Sequence, residues 1–125
     1  MTKQIKYTKK IKLPMYNCVV HFIVTNELDK IVDGIFKKYK LVNELGNDTA
    51  EGIVISPDDI SDYYLVIDLK YLSHNTLSHE MYHCVVRITE DRGISDEETQ
   101  AWLSGHITEI VYRYLDGKNI KIKHG

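Results

Sequence analysis

The sequence predicts an α+β domain: a small mixed or antiparallel sheet packed on two late helices, the first carrying His79-Glu80-Met81-Tyr82-His83. Three observations point there. Residues alternate with a period of two from Tyr16 to Thr25 and from Tyr63 to Leu69, which is strand spacing. Apolar positions from Leu28 to Tyr39 recur at three-four spacing, which is helix spacing. Two long helical runs then follow one another to the end of the chain, giving the order strand, helix, strand, strand, helix, helix.

In the first strand Tyr16, Cys18, Val20, Phe22 and Val24 share one face, and Asn17, Val19, His21, Ile23 and Thr25 share the other. Asn26 or Thr25 can cap the helix that follows, whose apolar stripe is Leu28, Ile31, Val32, Ile35, Phe36 and Tyr39. Leu45-Gly46-Asn47-Asp48 breaks that helix. A short strand is expected over Gly52–Ser56, a turn at Pro57-Asp58-Asp59, and a third strand over Tyr63–Leu69. The short connection favours antiparallel pairing of these two strands. The first late helix runs from about Asn75 to Asp91 and stops at Gly93, a residue that takes the left-handed cap conformation. The second runs from about Asp96 to Leu115 and stops at Asp116-Gly117, with a weakly alternating tail over Lys118–Lys123 as a short edge strand.

A chain of 125 residues suits a single domain over its whole length, residues 1–12 forming a basic arm or an edge strand. The first twenty residues hold five lysines and no apolar run of signal-peptide length. No stretch approaches the roughly 20 apolar residues of a membrane span, so no membrane association is expected. Cys18 and Cys84 fit no metal-knuckle or redox spacing and read as buried small apolar residues of a reducing, cytoplasmic compartment. Charge is uneven. Residues 1–40 hold nine Lys against three acids, and residues 41–99 hold thirteen acids against three basic residues. The N-terminal lysines lack interleaved arginines or an aromatic platform, so solvated surface is expected there rather than nucleic-acid binding.

His79-Glu80-x-x-His83 carries the chemistry. Residues four apart on a helix lie one turn on and nearly in line, so both imidazoles reach one metal ion. Glu80 projects about 100° round from His79, placed to act on a metal-bound water as general base. Two imidazoles with a carboxylate suit Zn²⁺ best. Three fixed residue types recur by chance often enough that the setting has to add weight. Leu77, Met81, Cys84, Val85 and Ile88 form a core face, and the histidines point away from it, flanked by Tyr82 and Val86. A surface helix would show charge there, so this helix is expected to be covered on both sides.

A two-histidine zinc site needs a third protein ligand. Asp96-Glu97-Glu98-Thr99-Gln100-Ala101-Trp102 opens the last helix, and Glu98 is the candidate, with Glu97 in reserve. Glu98 shares a stripe with Trp102, Gly105 and Glu109, and the small Ala101 and Gly105 would allow a close helix approach. The competing role is local: Ser95 and Glu98 also spell a capping box.

At these residues the chain resembles the glutamate-zincin metallopeptidases: His79-Glu80-x-x-His83, then Glu98-x-x-Ala101. Closest in size and spacing are the ImmA/IrrE-type regulatory peptidases and short zincin-like proteins encoded by bacteriophages, the latter sharing Glu90-Asp91-Arg92-Gly93-Ile94 and Ala101-Trp102-Leu103. The resemblance covers roughly residues 60–116. It implies a zincin-like fold and a peptide or protein substrate, in the cytoplasm of a bacterium or a phage-infected host. Glu80 would be the general base. An extended substrate would pair with an edge strand, here Tyr63, Tyr64, Leu65, Val66 and Ile67. Trp102 stands where many relatives carry Asn or Asp. Trp102, His106 and Tyr112 are candidates for the shell around the metal. Tyr82, His106 and Tyr112 are each conceivable as the oxyanion-stabilising group. The alternative is a zincin-fold phage structural or host-interaction protein that keeps zinc as a staple without peptidase activity.

Overall fold

The computed structural model describes residues 3–41, 51–57 and 61–124. It is an α+β fold with a four-stranded mixed sheet and three α-helices. Strands β1 (Lys6–Leu13), β2 (Cys18–Thr25), β3 (Gly52–Ile55) and β4 (Asp62–Asp68) lie in the order β1-β2-β4-β3. Helix α1 (Leu28–Lys38) follows β2, and α2 (His74–Asp91) and α3 (Glu97–Gly117) follow β4. β1 runs antiparallel to β2, β2 parallel to β4, and β3 antiparallel to β4.

The period-two alternation sorts the sheet into two faces. Val20, Phe22 and Val24 of β2 and Tyr63, Leu65 and Ile67 of β4 face α2 and α3, meeting Leu77, Ile88, Leu103 and Ile107 in the main core. Ile23, Tyr64 and Val66 face the other way, onto Leu28, Val32 and Ile35 of α1. The sheet is therefore a middle layer with α1 on one side and α2 and α3 on the other. Both cysteines are free and buried, and burial pushes the Cys84 thiol up to about 12. No described helix is long and apolar enough to cross a membrane.

Several expectations need correction. Tyr63–Ile67 is not an edge. β4 bonds to β2 on one side and to β3 on the other, and its five residues from Tyr63 to Ile67 are all buried. A strand covered on both faces and both edges reads as a continuous apolar run. The edges are β3 and β1, and the N-terminal segment is thus an edge strand from Lys6 onward, its exposed lysines guarding an open ladder. Asn26 does not cap α1. Its side chain accepts from the Ile5 N–H at 2.7 Å and donates to the Lys3 carbonyl at 2.9 Å, so it ties down the approach to β1 instead. α3 starts one residue later than the Ser95 box implies: Asp96 accepts from the Thr99 N–H and hydroxyl, at 3.2 and 2.7 Å. The tail over Lys118–Lys123 makes one bridge, Lys123 with Ser73, rather than a strand. Leu45–Asp48 and the turn residues Asp58 and Asp59 lie outside the described residues.

Helix ends follow local chemistry. Ser73 caps α2 by accepting from the Thr76 N–H. Gly93, at φ +66°, closes it: the Gly93 N–H reaches Glu90 and the Ile94 N–H reaches Thr89. α3 closes in the same pattern through Asn119 at φ +57°, two residues past the expected Gly117. Arg92, just beyond α2, anchors it to the sheet. Its guanidinium donates to the carbonyls of Tyr16 (2.9 Å) and Ile88 (3.1 Å) and to the Tyr63 hydroxyl (2.8 Å), which donates to Asp91 at 2.6 Å.

Tyr63→Phe removes the hydroxyl that joins Asp91 to Arg92. It should cost about 1–2 kcal/mol in urea denaturation and leave the affinity for divalent metal unchanged. A neutral substitution would mean that this network does not anchor α2.

Candidate metal centre

α2 carries the motif on a straight stretch of 18 residues, long enough to hold both histidines on successive turns. Leu77, Met81, Cys84, Val85 and Ile88 are buried as the helical wheel requires. The opposite face is not covered. His79 and His83 are exposed and Tyr82 is 67% exposed. α1 lies across the sheet and α3 flanks α2 on its Met81 and Thr89 side, so no described element remains to roof the histidines. The expectation of a helix covered on both sides is corrected accordingly.

The two imidazoles converge. Their Nε2 atoms are 3.1 Å apart, with ring centroids at 4.7 Å and planes at 77°. Two nitrogens bound tetrahedrally to zinc at about 2.0–2.1 Å would stand about 3.3 Å apart, so the pair is spaced for one ion. Glu80 completes the group: one ligand atom from each of His79, Glu80 and His83 lies within 4.8 Å of the others. Among the described residues this is the only gathering of three or more such side chains.

Glu80 is the unusual member. It is only 7% exposed, and its Oε2 is buried with no hydrogen-bond partner. Burial raises its carboxyl above the ordinary carboxylate value, opposed by His79, His83 and Arg87. The edge strand causes that burial. A Cβ on Gly52 would sit 2.9 Å from Glu80 Cγ, 2.9 Å from Ile67 Cδ1 and 3.2 Å from the Val66 carbonyl oxygen. Only a residue without a side chain lets β3 close over Glu80. A cavity of about 290 Å³ opens here, lined by Glu51, Gly52, Asn75, Thr76, His79 and Glu80. Thr76 Oγ1 donates to Glu51 Oε2 at 3.0 Å, and Arg87 donates to the Val54 carbonyl at 2.6 Å, bracing β3 against α2.

No family model, curated protein or solved structure matches the chain. Its own geometry is therefore what speaks for the site.

The remaining sequence candidates lie elsewhere. Glu97 and Glu98 are exposed in the first turn of α3. α3 runs back along α2 with Gln100 beside Thr89 and Thr108 beside Met81. That register puts Glu98 level with the last turn of α2, eight residues or about 12 Å along the axis from the level of His83. The structure does not bring Glu98 to the histidines. Trp102, 51% exposed, stacks on His106 with centroids 5.1 Å apart. The Tyr112 hydroxyl lies 2.9 Å from Nδ1 of His74, the first residue of α2. Tyr82 neighbours the pair, its ring 6.3 Å from that of His83. Gly105 is not needed for close helix packing, because a Cβ there would meet nothing within 4 Å.

Sequence reasoning missed Glu51, Gly52, Asn75 and Thr76. One signal was available: a glycine at the start of a strand marks a close approach by another group.

Two outcomes follow. Gly52→Ala should cost about 1–3 kcal/mol, because the Val66 carbonyl cannot yield; a calorimetric Tm equal to wild type would show that β3 does not press on Glu80. A carboxyl with a raised folded pKa binds protons more tightly in the folded state. The metal-free protein therefore loses stability as pH rises from the unfolded value of 4.5 through the raised folded value. Glu80→Gln should then be more stable than wild type at pH 7.5, with the gap closing at pH 4. A gap that ignores pH would sink the ionic explanation.

Proposed function

We propose that the chain is a zinc-dependent metallopeptidase-like hydrolase of zincin type, with His79 and His83 holding the ion and Glu80 as general base. The observation that carries this reading is the buried, partnerless Glu80 oxygen beside two imidazole nitrogens spaced for one cation. A buried carboxylate with nothing to accept from is costly, and it is tolerated where it has a proton to take. When bound, zinc supplies Lewis acidity, lowering the pKa of water towards neutrality and polarising a carbonyl.

The chain's own groups have separate tasks. His79 and His83 fix the cation's position on a rigid helix. Glu80, held by β3 and raised by burial, takes the proton from the attacking water and hands it to the leaving amine. β3 replaces the buried Tyr63–Ile67 strand as the edge for an extended peptide. The Asp68 N–H bonds the Glu51 carbonyl, so by antiparallel alternation Gly52 and Val54 turn their backbone groups outward. Arg87 occupies the Val54 carbonyl. Gly52 is left to pair with a substrate beside Glu80.

The non-catalytic alternative fits less well. A structural zinc is closed by four protein ligands, whereas the described residues gather three candidate side chains, one of them the buried Glu80.

Protein purified without chelator should carry about one zinc per chain, lost in His79→Ala and His83→Ala. Glu80→Gln should keep the zinc and lose peptide cleavage by at least about a hundredfold. Retained turnover in that variant ends the proposal. Zinc affinities of Glu98→Ala and Glu97→Ala identify the third ligand: the variant weakened tenfold or more lacks it, and a loss in Glu98→Ala would mean that the first turn of α3 moves onto the bound ion.

A further inference from the structure

The cavity between the start of β3 and the first turns of α2 is chemically one-sided. It is lined by Glu51, Gly52, Asn75, Thr76, His79 and Glu80, with a volume of about 290 Å³. Among the described residues no lysine or arginine lines it, and the nearby Arg87 turns its guanidinium to the Val54 carbonyl and the Ser56 hydroxyl. Two carboxylates face the space. Thr76 holds one oxygen of Glu51 at 3.0 Å, which fixes the direction of the group. Glu80, 7% exposed, also lines the cavity, and its buried Oε2 has no hydrogen-bond partner. The volume lies at the small end of ligand pockets, room for one long side chain rather than a folded molecule.

We infer that this cavity is a recognition subsite for a protonated amine or guanidinium of the substrate, with Glu51 as the residue that sets the preference. The inference builds on the peptidase reading, because the cavity shares His79 and Glu80 with the proposed centre and opens beside Gly52, where an extended peptide would pair. A cation in the cavity would stand among the exposed Glu51, the α2 residues Asn75 and Thr76, and the buried Glu80. A guanidinium or ammonium can donate to several of these at once, which a neutral side chain cannot. An acidic side chain would face two carboxyl groups, with no Lys or Arg among the described residues that line the cavity. Two sources can bring the cation: a lysine or arginine side chain next to the cleaved bond, or the free α-amino group of a short peptide. Both present the same chemistry to Glu51.

The test is a titration of butylguanidinium into zinc-loaded wild type, Glu51→Gln and Glu51→Lys, followed by amide chemical shifts. Saturable shifts at Gly52, Asn75 and Thr76 are expected in the wild type, with affinity reduced tenfold or more in Glu51→Gln and abolished in Glu51→Lys, while all three proteins keep equal zinc. The inference is overturned by the absence of saturable shifts in the wild type, by unchanged affinity in Glu51→Gln, or by loss of zinc in that variant, which would make Glu51 a metal ligand. Titration with an N-acetylated arginine peptide and with an unblocked leucine peptide separates the two sources: dependence on Glu51 for the first assigns the side chain, for the second the α-amino group, and for neither rejects the subsite for peptides. Butylguanidinium binding through Glu51 with no cleavage of any peptide would uphold the subsite and remove the peptidase reading instead.

Discussion

The antiparallel pairing of β3 with β4 is the constraint on which the candidate site depends. Register places Gly52 opposite Ile67, and the same pairing lays the backbone of Gly52 against the Glu80 side chain. Without β3, α2 would still hold two histidines a turn apart, but Glu80 would be an ordinary solvated carboxylate. The edge strand thus converts a local helical pattern into a buried carboxyl group beside an open pair of imidazoles. Arg87 reinforces the arrangement by reaching from the next turn of α2 to the Val54 carbonyl. The electrostatic character of the site, a carboxyl raised by lost water and partly restrained by His79, His83 and Arg87, follows from that one contact.

What the sequence made legible was the part governed by local period. The helix over His74–Asp91, its core face and its Gly93 stop follow from spacing and cap chemistry. So do the strands around Phe22 and Leu65 and the antiparallel pairing across the short β3–β4 connection. What stayed hidden was set by partners far away in the chain. β4 was expected at an edge because the resemblance implied a substrate-pairing strand there; its parallel pairing to β2, set by residues far away in the chain, puts it inside the sheet. Asn26 looked like a cap because the competing Ile5 and Lys3 bonds are more than twenty residues away. The uncharged outer face of α2 suggested a cover, yet His79, Tyr82 and His83 there are exposed and Val86 is only half-buried.

The site was legible in kind and incomplete in composition. His79, Glu80 and His83 gather as the motif demands, because four residues on a helix fix their own geometry. The residues that make the surroundings specific, Glu51, Asn75 and Thr76, are held by tertiary contact and left no mark beyond the glycine between Glu51 and Ile53. Glu98 illustrates the reverse. Its spacing from the motif was suggestive, but the loop through Gly93 and the antiparallel register of α3 determine where it stands, and neither is encoded in a residue count. An open, solvent-facing pair of imidazoles also distinguishes this arrangement from a closed structural zinc knot.

Because His79 and His83 sit four residues apart on one helix, their pairing does not need the sheet at all. A transient turn of helix in the denatured chain can present the same two nitrogens to the same ion, so metal would populate residual helical structure there as well as occupy the native site. Ligand-linked stabilisation reports only the preference for native over denatured protein. On the proposed reading, a rise in melting temperature on adding metal would therefore understate how tightly the folded chain holds it. The excess of native over denatured affinity measures what β3 and the rest of the fold contribute to the site.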